Sequence, residues 1–296
     1  MRTKILSFIY CRKNNKWLLL KNNPIKLRGL ERWFTVTGTI EENETLEQTV
    51  ARELLEEINL APIKIINLKS INKYLSKFDD EECLEHNFLS IVNSDKVELD
   101  NIENIDYCWV NFDEFIEKLW WYNNKNKLKE QLLSEINNLN IIKENIDTQY
   151  LPYDSYVEVY ILNENKEFVI VFSALKDHFC KVLGGGVEKD ETFEEAAIRE
   201  AKEEVNADIE IIGISKHPLE YEISKESLFN NYFKTRGGRG KIVIAKLISS
   251  PENIKIQEEE ISGYKWIKKE EIEKYLTLQN QIESARKIFE EFKDYF

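Results

Sequence analysis

The sequence predicts an α/β chain built from two copies of one domain, and three observations carry that reading. The stretch Gly185 to Ala207 repeats the residue skeleton of Gly38 to Leu60. A later pattern, Glu-x3-Tyr-x-Trp, occurs at Glu103, Tyr107 and Trp109 and again at Glu260, Tyr264 and Trp266. Around both copies, strand-length apolar runs alternate with amphipathic helical patterns in the same order. At 296 residues the chain also exceeds the usual size of one domain, whereas two units of about 145 residues each sit at the mode.

Each element has its counterpart. Residues 4–20 read as a hairpin turning at Lys13-Asn14-Asn15-Lys16, and residues 156–171 as another turning at Asn163-Glu164-Asn165-Lys166. An irregular segment follows in each half; in the first it holds Lys26, Arg28, Arg32 and Trp33. That cluster reads either as a solvated loop around a core Trp or as a phosphate-steering patch with a ring stacked on Trp33.

The repeated motif comes next. Thr45 with Gln48, and Thr192 with Glu195, have capping-box spacing, so a helix begins after each loop glutamate. Leu46, Val50 and Leu54, and likewise Phe193, Ala197 and Ala201, recur every four residues as a buried stripe. Glu53, Glu56 and Glu57 share another face, as do Glu200, Glu203 and Glu204. Three carboxylates on one helix turn repel one another unless a cation sits among them, and hard oxygen donors suit Mg2+, with Mn2+ as a substitute. Arg52 and Arg199 stand eight residues after Glu44 and Glu191, placed to pin the loop carboxylate to the helix. Asn59 and Asn206 tolerate left-handed geometry and close the helices.

Strand patterns follow at 62–74 and 86–93, and at 208–222 and 241–248, before helical segments near 112–138 and 269–293. The expected organisation is a first domain at 1–138, a linker at 139–152 closed by Pro152, and a second domain at 153–296. The second half is ten residues longer between the motif helix and the late glutamate. Its extra length includes Lys234, Arg236, Arg239 and Lys241 among three glycines. This run reads as a flexible anion-binding loop, with a solvated basic turn as the plainer alternative.

Composition excludes several classes. Net charge is -13, and neither half has a basic excess: 20 Lys plus Arg face 25 Asp plus Glu in residues 1–150, and 21 face 29 in the rest. Such halves do not grip nucleic acid nonspecifically. Cys11, Cys83, Cys108 and Cys180 lack metal-site spacing and read as free thiols of a reducing compartment. Apolar blocks such as Trp17 to Leu20 are only strand-sized, so a soluble cytoplasmic protein without membrane contact is expected. His86, His178 and His217 are too dispersed for a histidine mechanism.

With U for an apolar residue, both motif stretches follow G-x5-E-x7-R-E-U-x-E-E-x-G-U except at the last Gly, where Asn59 and Asn206 stand. This resembles the signature of the Nudix hydrolases. The resemblance implies two domains, each a mixed β-sheet sandwiched between helices with the box as a loop-helix-loop. It implies metal-dependent cleavage of nucleoside diphosphates linked to another group X, with Mg2+ held by Glu53, Glu56 and Glu57 and by Glu200, Glu203 and Glu204. Arg52 and Arg199 belong to the implied catalytic set, and the general base falls either to Glu53 and Glu200 or to Glu103 and Glu260. Gly38 and Gly185 would border the substrate. The run Trp33 to Glu41 with His86 looks like the dihydroneopterin triphosphate and dATP pyrophosphohydrolases. The runs Leu219 to Ile223 and Arg236 to Lys241 are similar to the diadenosine polyphosphate and RNA 5'-pyrophosphohydrolases, which adds Tyr221 as a substrate contact. Expected substrates are nucleoside triphosphates or dinucleoside polyphosphates at two active sites. The other readings are one catalytic half with a nucleotide-sensing half, and an enzyme of RNA 5' ends. The tandem could pair internally as a pseudo-dimer or form homodimers.

Overall fold

The computed structural model describes the chain apart from residues 26–31, 77–79, 120, 123, 140–145, 175–178, 231–232 and 277–278 and the side chain at 280. Lys26, Arg28, His178 and part of the expected linker therefore lie outside the described residues. The first half runs β1 (Arg2–Cys11), β2 (Lys16–Asn22), β3 (Trp33–Phe34), β4 (Val36–Thr39), α1 (Leu46–Ile58), β5 (Lys64–Leu75), β6 (Glu82–Val92), β7 (Asn104–Val110), α2 (Phe112–Lys118) and α3 (Lys125–Asn137). The second runs β8 (Tyr153–Leu162), β9 (Phe168–Ser173), β10 (Cys180–Gly186), α4 (Phe193–Val205), β11 (Ile209–Ile214), β12 (Leu219–Glu222), α5 (Lys225–Phe229), β13 (Gly237–Leu247), β14 (Ile261–Ile267), α6 (Ile272–Tyr275) and α7 (Gln279–Glu291).

Each half forms a mixed sheet with matching pairings. In the first, β1 pairs parallel with β6 and antiparallel with β4; in the second, β8 pairs parallel with β13 and antiparallel with β10. The register also matches: Gly38 stands opposite Ile5 and Gly185 opposite Val157. Strand side chains alternate between faces, and both faces are buried. Ile5, Ile9, Leu18 and Leu20 enter a core with Val50, Leu54 and Ile58 of α1, while Leu6, Phe8, Trp17 and Leu19 enter another with Phe115, Leu128 and Leu132 of α2 and α3. Likewise Val157, Val159 and Ile161 meet α4, and Tyr160, Leu162 and Phe168 meet α7. Each half is thus a helix-sheet-helix sandwich.

The chain divides into two compact units, and the division does not follow the repeat boundary throughout. One unit is Met1–Pro152 with Ile223–Arg236; the other is Tyr153–Glu222 with Gly237–Phe296. Residues 223–236, between β12 and β13 of the second half, belong to the first unit. Leu228 is 4 % exposed within the first unit's core, with Ile223 and Phe229 packed beside it. The Asn93 amide donates to the Phe229 carbonyl at 2.7 Å, and Arg12 lies 5.4 Å from the Phe229 ring centroid. Ser224 caps α5 by accepting from the Ser227 N–H. Ile146, Tyr150 and Leu151, from the expected linker, are buried in the same core.

Two expectations need correction. Gly237 to Lys241 is not a flexible loop but the first part of β13, paired with β12 on one side and β8 on the other. Its glycines suit close strand contact: a Cβ at Gly240 would lie 1.6 Å from the Tyr156 carbonyl oxygen, and one at Gly238 would lie 2.4 Å from the Tyr221 ring. The late helical segments are each broken. In the first half, Asn124 starts a new helix by capping the Lys127 N–H; in the second, Leu276 turns extended after α6.

Truncating Leu228 removes a core side chain, at a cost of about 2–5 kcal/mol for Leu→Ala. Leu228→Ala in the full chain should therefore lower the melting transition that contains the first unit and open 223–236 to limited proteolysis. Unchanged melting and cleavage would show that this segment is not part of that core.

Candidate active sites

The two motif helices are built alike because their capping chemistry is alike. Thr45 Oγ1 accepts from the Gln48 N–H at 3.2 Å and Gln48 Oε1 accepts from the Thr45 N–H at 2.8 Å. Thr192 and Glu195 repeat this at 3.2 and 2.9 Å. At the other end Asn59 (φ 55°) and Asn206 (φ 52°) adopt left-handed caps. With Val50 and Leu54, or Ala197 and Ala201, fully buried, the carboxylates turn toward the strand of the motif glycine, with Glu57 and Glu204 buried there and Glu56 and Glu203 open to solvent. The motif glycine then meets them closely: a Cβ at Gly38 would fall 1.9 Å from Glu53 Oε1, and one at Gly185 would fall 2.1 Å from Glu200 Oε1. Only glycine leaves that room.

Arg52 and Arg199 make the same five-bond fork. Arg52 Nε and Nη2 donate to Glu44 at 2.8 and 3.1 Å, and Nη2 also donates to the Thr39 carbonyl at 3.0 Å. Its Nη1 donates to Glu53 and Glu56, both at 3.0 Å. Arg199 donates to Glu191 at 2.9 and 3.0 Å, to the Gly186 carbonyl at 2.7 Å, and to Glu200 and Glu203 at 2.7 and 3.1 Å. The Arg52 fork holds the Glu44 carboxyl below the usual range, so that residue serves as a fixed anion positioning the arginine.

The remaining carboxylates are short of positive charge. Burial pushes Glu53 up to about 7 despite Arg52, with Glu56 and Glu103 adding to the rise. Burial lifts Glu57 well above its ordinary value; Asn104 and the Thr37 N–H oppose this, while Glu103 and Glu53 add to it. Such a group of oxygens fits a hard divalent cation, which would restore their charge. Glu53, Glu56 and Glu57 lie on one helix face as expected. Among the described residues, however, no group of three or more His, Cys, Asp or Glu is already gathered around one point. The carboxylates instead bond to neighbours: Glu56 to Arg52, and Glu57 to the Asn104 amide at 2.7 Å and the Thr37 N–H at 3.3 Å.

The late glutamates differ. Glu103, exposed just before β7, adds to the rise of both Glu53 and Glu57. Glu260 is exposed in the turn before β14, where its carbonyl accepts from the Ala174 N–H at 2.8 Å. Glu204 is raised by burial and by Glu200, and Lys181 is the first influence opposing the rise. Lys181 Nζ donates to Glu204 Oε1 at 2.7 Å. Burial likewise pushes Glu158 up to about 7 against the pull of Lys181.

The substrate candidates are spread. Trp33 is half-buried, with Lys118 Nζ 5.1 Å from its ring centroid, and the Arg32 N–H donates to Asn22 at 2.7 Å. Tyr221 packs edge-on to Tyr156 at 5.6 Å. Arg239 is paired with Glu220 at 3.0 Å and lies 3.7 Å from the Tyr153 ring centroid. Arg236 Nη1 reaches the Gln149 carbonyl at 3.4 Å, Lys234 is exposed, and Lys241 is half-exposed on β13. Sequence reasoning passed over Asn104, Lys181 and Glu158. The legible signal for Lys181 was its place four residues before Gly185, where the first half has Phe34.

Comparisons with known proteins give both repeats the same family match. The NUDIX domain model matches residues 2–132 and 152–292. A dihydroneopterin triphosphate diphosphatase of Haemophilus influenzae is 28% identical over 142 residues, 44% of this chain and 87% of that protein. An RNA pyrophosphohydrolase of Pelagibacter ubique is 32% identical over 127 residues, 41% of this chain and 80% of that protein. Among solved structures, the C. elegans Ap4A hydrolase binary complex is 23% identical with a TM-score of 0.39, covering 48% of this chain and 99% of its own.

The Glu53 environment yields a pH test. A carboxyl raised from 4.5 to about 7 binds its proton more tightly folded than unfolded, so its burial lowers stability progressively as pH rises through that window. In metal-free protein Glu53→Gln should therefore melt above the parent at pH 8, by about 2–4 °C for each kcal/mol relieved. The gap should close toward pH 4.5. A gap independent of pH would mean that burial does not strain this carboxylate.

Proposed function

The chain belongs to the NUDIX family over both repeats and is a pyrophosphohydrolase acting on phosphoanhydride bonds, and from that premise we propose that each repeat carries its own metal-dependent site. The observation that carries this is the duplicated fork, in which Arg52 with Glu44, Glu53 and Glu56 is matched bond for bond by Arg199 with Glu191, Glu200 and Glu203. A half that had become only a sensor would be free to lose its carboxylates, and neither has.

Glu53, Glu56 and Glu57 would hold Mg2+ in the first repeat, and Glu200, Glu203 and Glu204 in the second, with Mn2+ as a substitute. When bound, the ion neutralises phosphate oxygens and lowers the pKa of an attacking water. Arg52 and Arg199 keep the carboxylates oriented through bonds that need no rearrangement during the reaction. Glu53, bonded to the Arg52 fork, is one candidate for the group that takes a proton from water. Glu103 adds negative charge beside it and is the other candidate base; Glu200 and Glu260 are the corresponding groups in the second repeat.

The proposed substrates are nucleoside triphosphates or dinucleoside polyphosphates. The relatives named for dihydroneopterin triphosphate and for RNA both favour a polyphosphate chain on a nucleoside-like group. The acidic balance of both halves and the pairing of Arg239 with Glu220 weigh against a long RNA footprint. The compound class can be read from a release assay with Mg2+ across nucleoside triphosphates, dinucleoside polyphosphates, nucleotide sugars and 5'-triphosphorylated RNA.

Hydrolysis should stop with EDTA and return with Mg2+ or Mn2+; full turnover in metal-free buffer would end this mechanism. Metal stabilisation of the transition state is worth several kcal/mol, so Glu56→Gln and Glu203→Gln should each lower one activity by about a hundredfold or more. Each should spare the other activity, and the double variant should lose both. Loss of all activity on Glu56→Gln alone would point to one composite site.

A further inference from the structure

The two repeats neutralise their innermost box glutamate in different ways. Strand register places Lys181 and Phe34 at equivalent positions, opposite Val171 and Leu20. It likewise aligns Glu158 with Leu6, opposite Gly184 and Thr37, and Ile261 with Asn104, opposite Ser173 and Asn22. In the first repeat Glu57 is met by a neutral amide, Asn104, at 2.7 Å. In the second that amide is replaced by an apolar residue, and a cation enters from β10: Lys181 Nζ lies 2.7 Å from Glu204 and 3.3 Å from the Gly184 carbonyl. Backbone support is alike, from the Thr37 and Gly184 N–H groups, each at 3.3 Å. The arginine forks are alike as well, but the partner bonded to this glutamate differs in charge, an amide in one repeat and an ammonium group in the other.

We propose that Lys181 is a built-in counter-ion that makes the second repeat a weak divalent-metal site and leaves the first a tight one. This rests on the reading that each box helix holds a metal. A buried carboxylate bonded to an ammonium group gives up that partner, or shares its charge, when a divalent ion arrives, and two cations at one carboxylate repel. Glu57 pays no such cost, because an amide can remain bonded to it. At low free metal the first repeat would then be loaded alone, and the second would respond to rising metal concentration.

The test is Mn2+ binding to the full chain, followed by the loss of the free-ion EPR signal and by calorimetry. The parent should show two classes of site separated by about tenfold or more. Glu53→Gln should remove the tighter class and Glu200→Gln the weaker. Lys181→Phe with Glu158→Leu, which installs the first repeat's pair, should bring the weaker class to within about threefold of the tighter. Conversely, Phe34→Lys should weaken the first repeat's class by about tenfold; because it alters the other repeat, it decides the matter even where the first variant does not fold. Equal affinities in the parent, or an unmoved weak class in the first variant together with an unmoved tight class in the second, would overturn the proposal. Absence of Mn2+ binding at both repeats would overturn the metal reading beneath it.

Discussion

The guanidinium fork at Arg52, copied at Arg199, is the interaction on which the site geometry depends. Its five bonds reach a loop carboxylate, a strand-end carbonyl and two helix carboxylates, so one planar group fixes loop, strand and helix together. An ammonium group has neither the planar shape nor enough fixed donors to do this. The fork also makes a dense run of glutamates tolerable, since each carboxylate it touches gains an opposite charge at hydrogen-bond distance. What it cannot reach, chiefly Glu57 and Glu204, must be neutralised from elsewhere.

The sheet supplies that elsewhere. Because both faces of each sheet are buried under helices, the strand ends and the motif glycine at Gly38 or Gly185 define where the carboxylates can emerge. Residues elsewhere in the sheet then become the second set of partners: Asn104 from β7 in one repeat, and in the other Lys181 from β10, the strand that also carries Gly185. The shared fold keeps the Arg fork constant, while single positions beside it vary the charge felt by the inner glutamate.

The segment between β12 and β13 of the second repeat has a structural use in the first unit. Residues 223–236 bury Leu228 in the first unit's core, and the glycines that follow let β13 lie close to its neighbours. The cations that stood out in this run are partly spent on local bonds, Arg239 on Glu220 and Arg236 on the Gln149 carbonyl.

The sequence by itself determined the duplicated helix, its caps and the forks, because these rest on contacts within about fifteen residues, where periodicity and spacing map directly onto space. Thr45 with Gln48, Glu44 with Arg52, and Asn59 as a left-handed cap were all legible on that ground. Only the tertiary structure decided what meets Glu57 and Glu204, since Asn104 is 47 residues from Glu57 and Lys181 is 23 from Glu204. It also decided that the glycine-rich basic run is a strand, because a Gly that looks like freedom in the chain can equally mark a place where another backbone presses close, and that difference is set by the neighbouring strand.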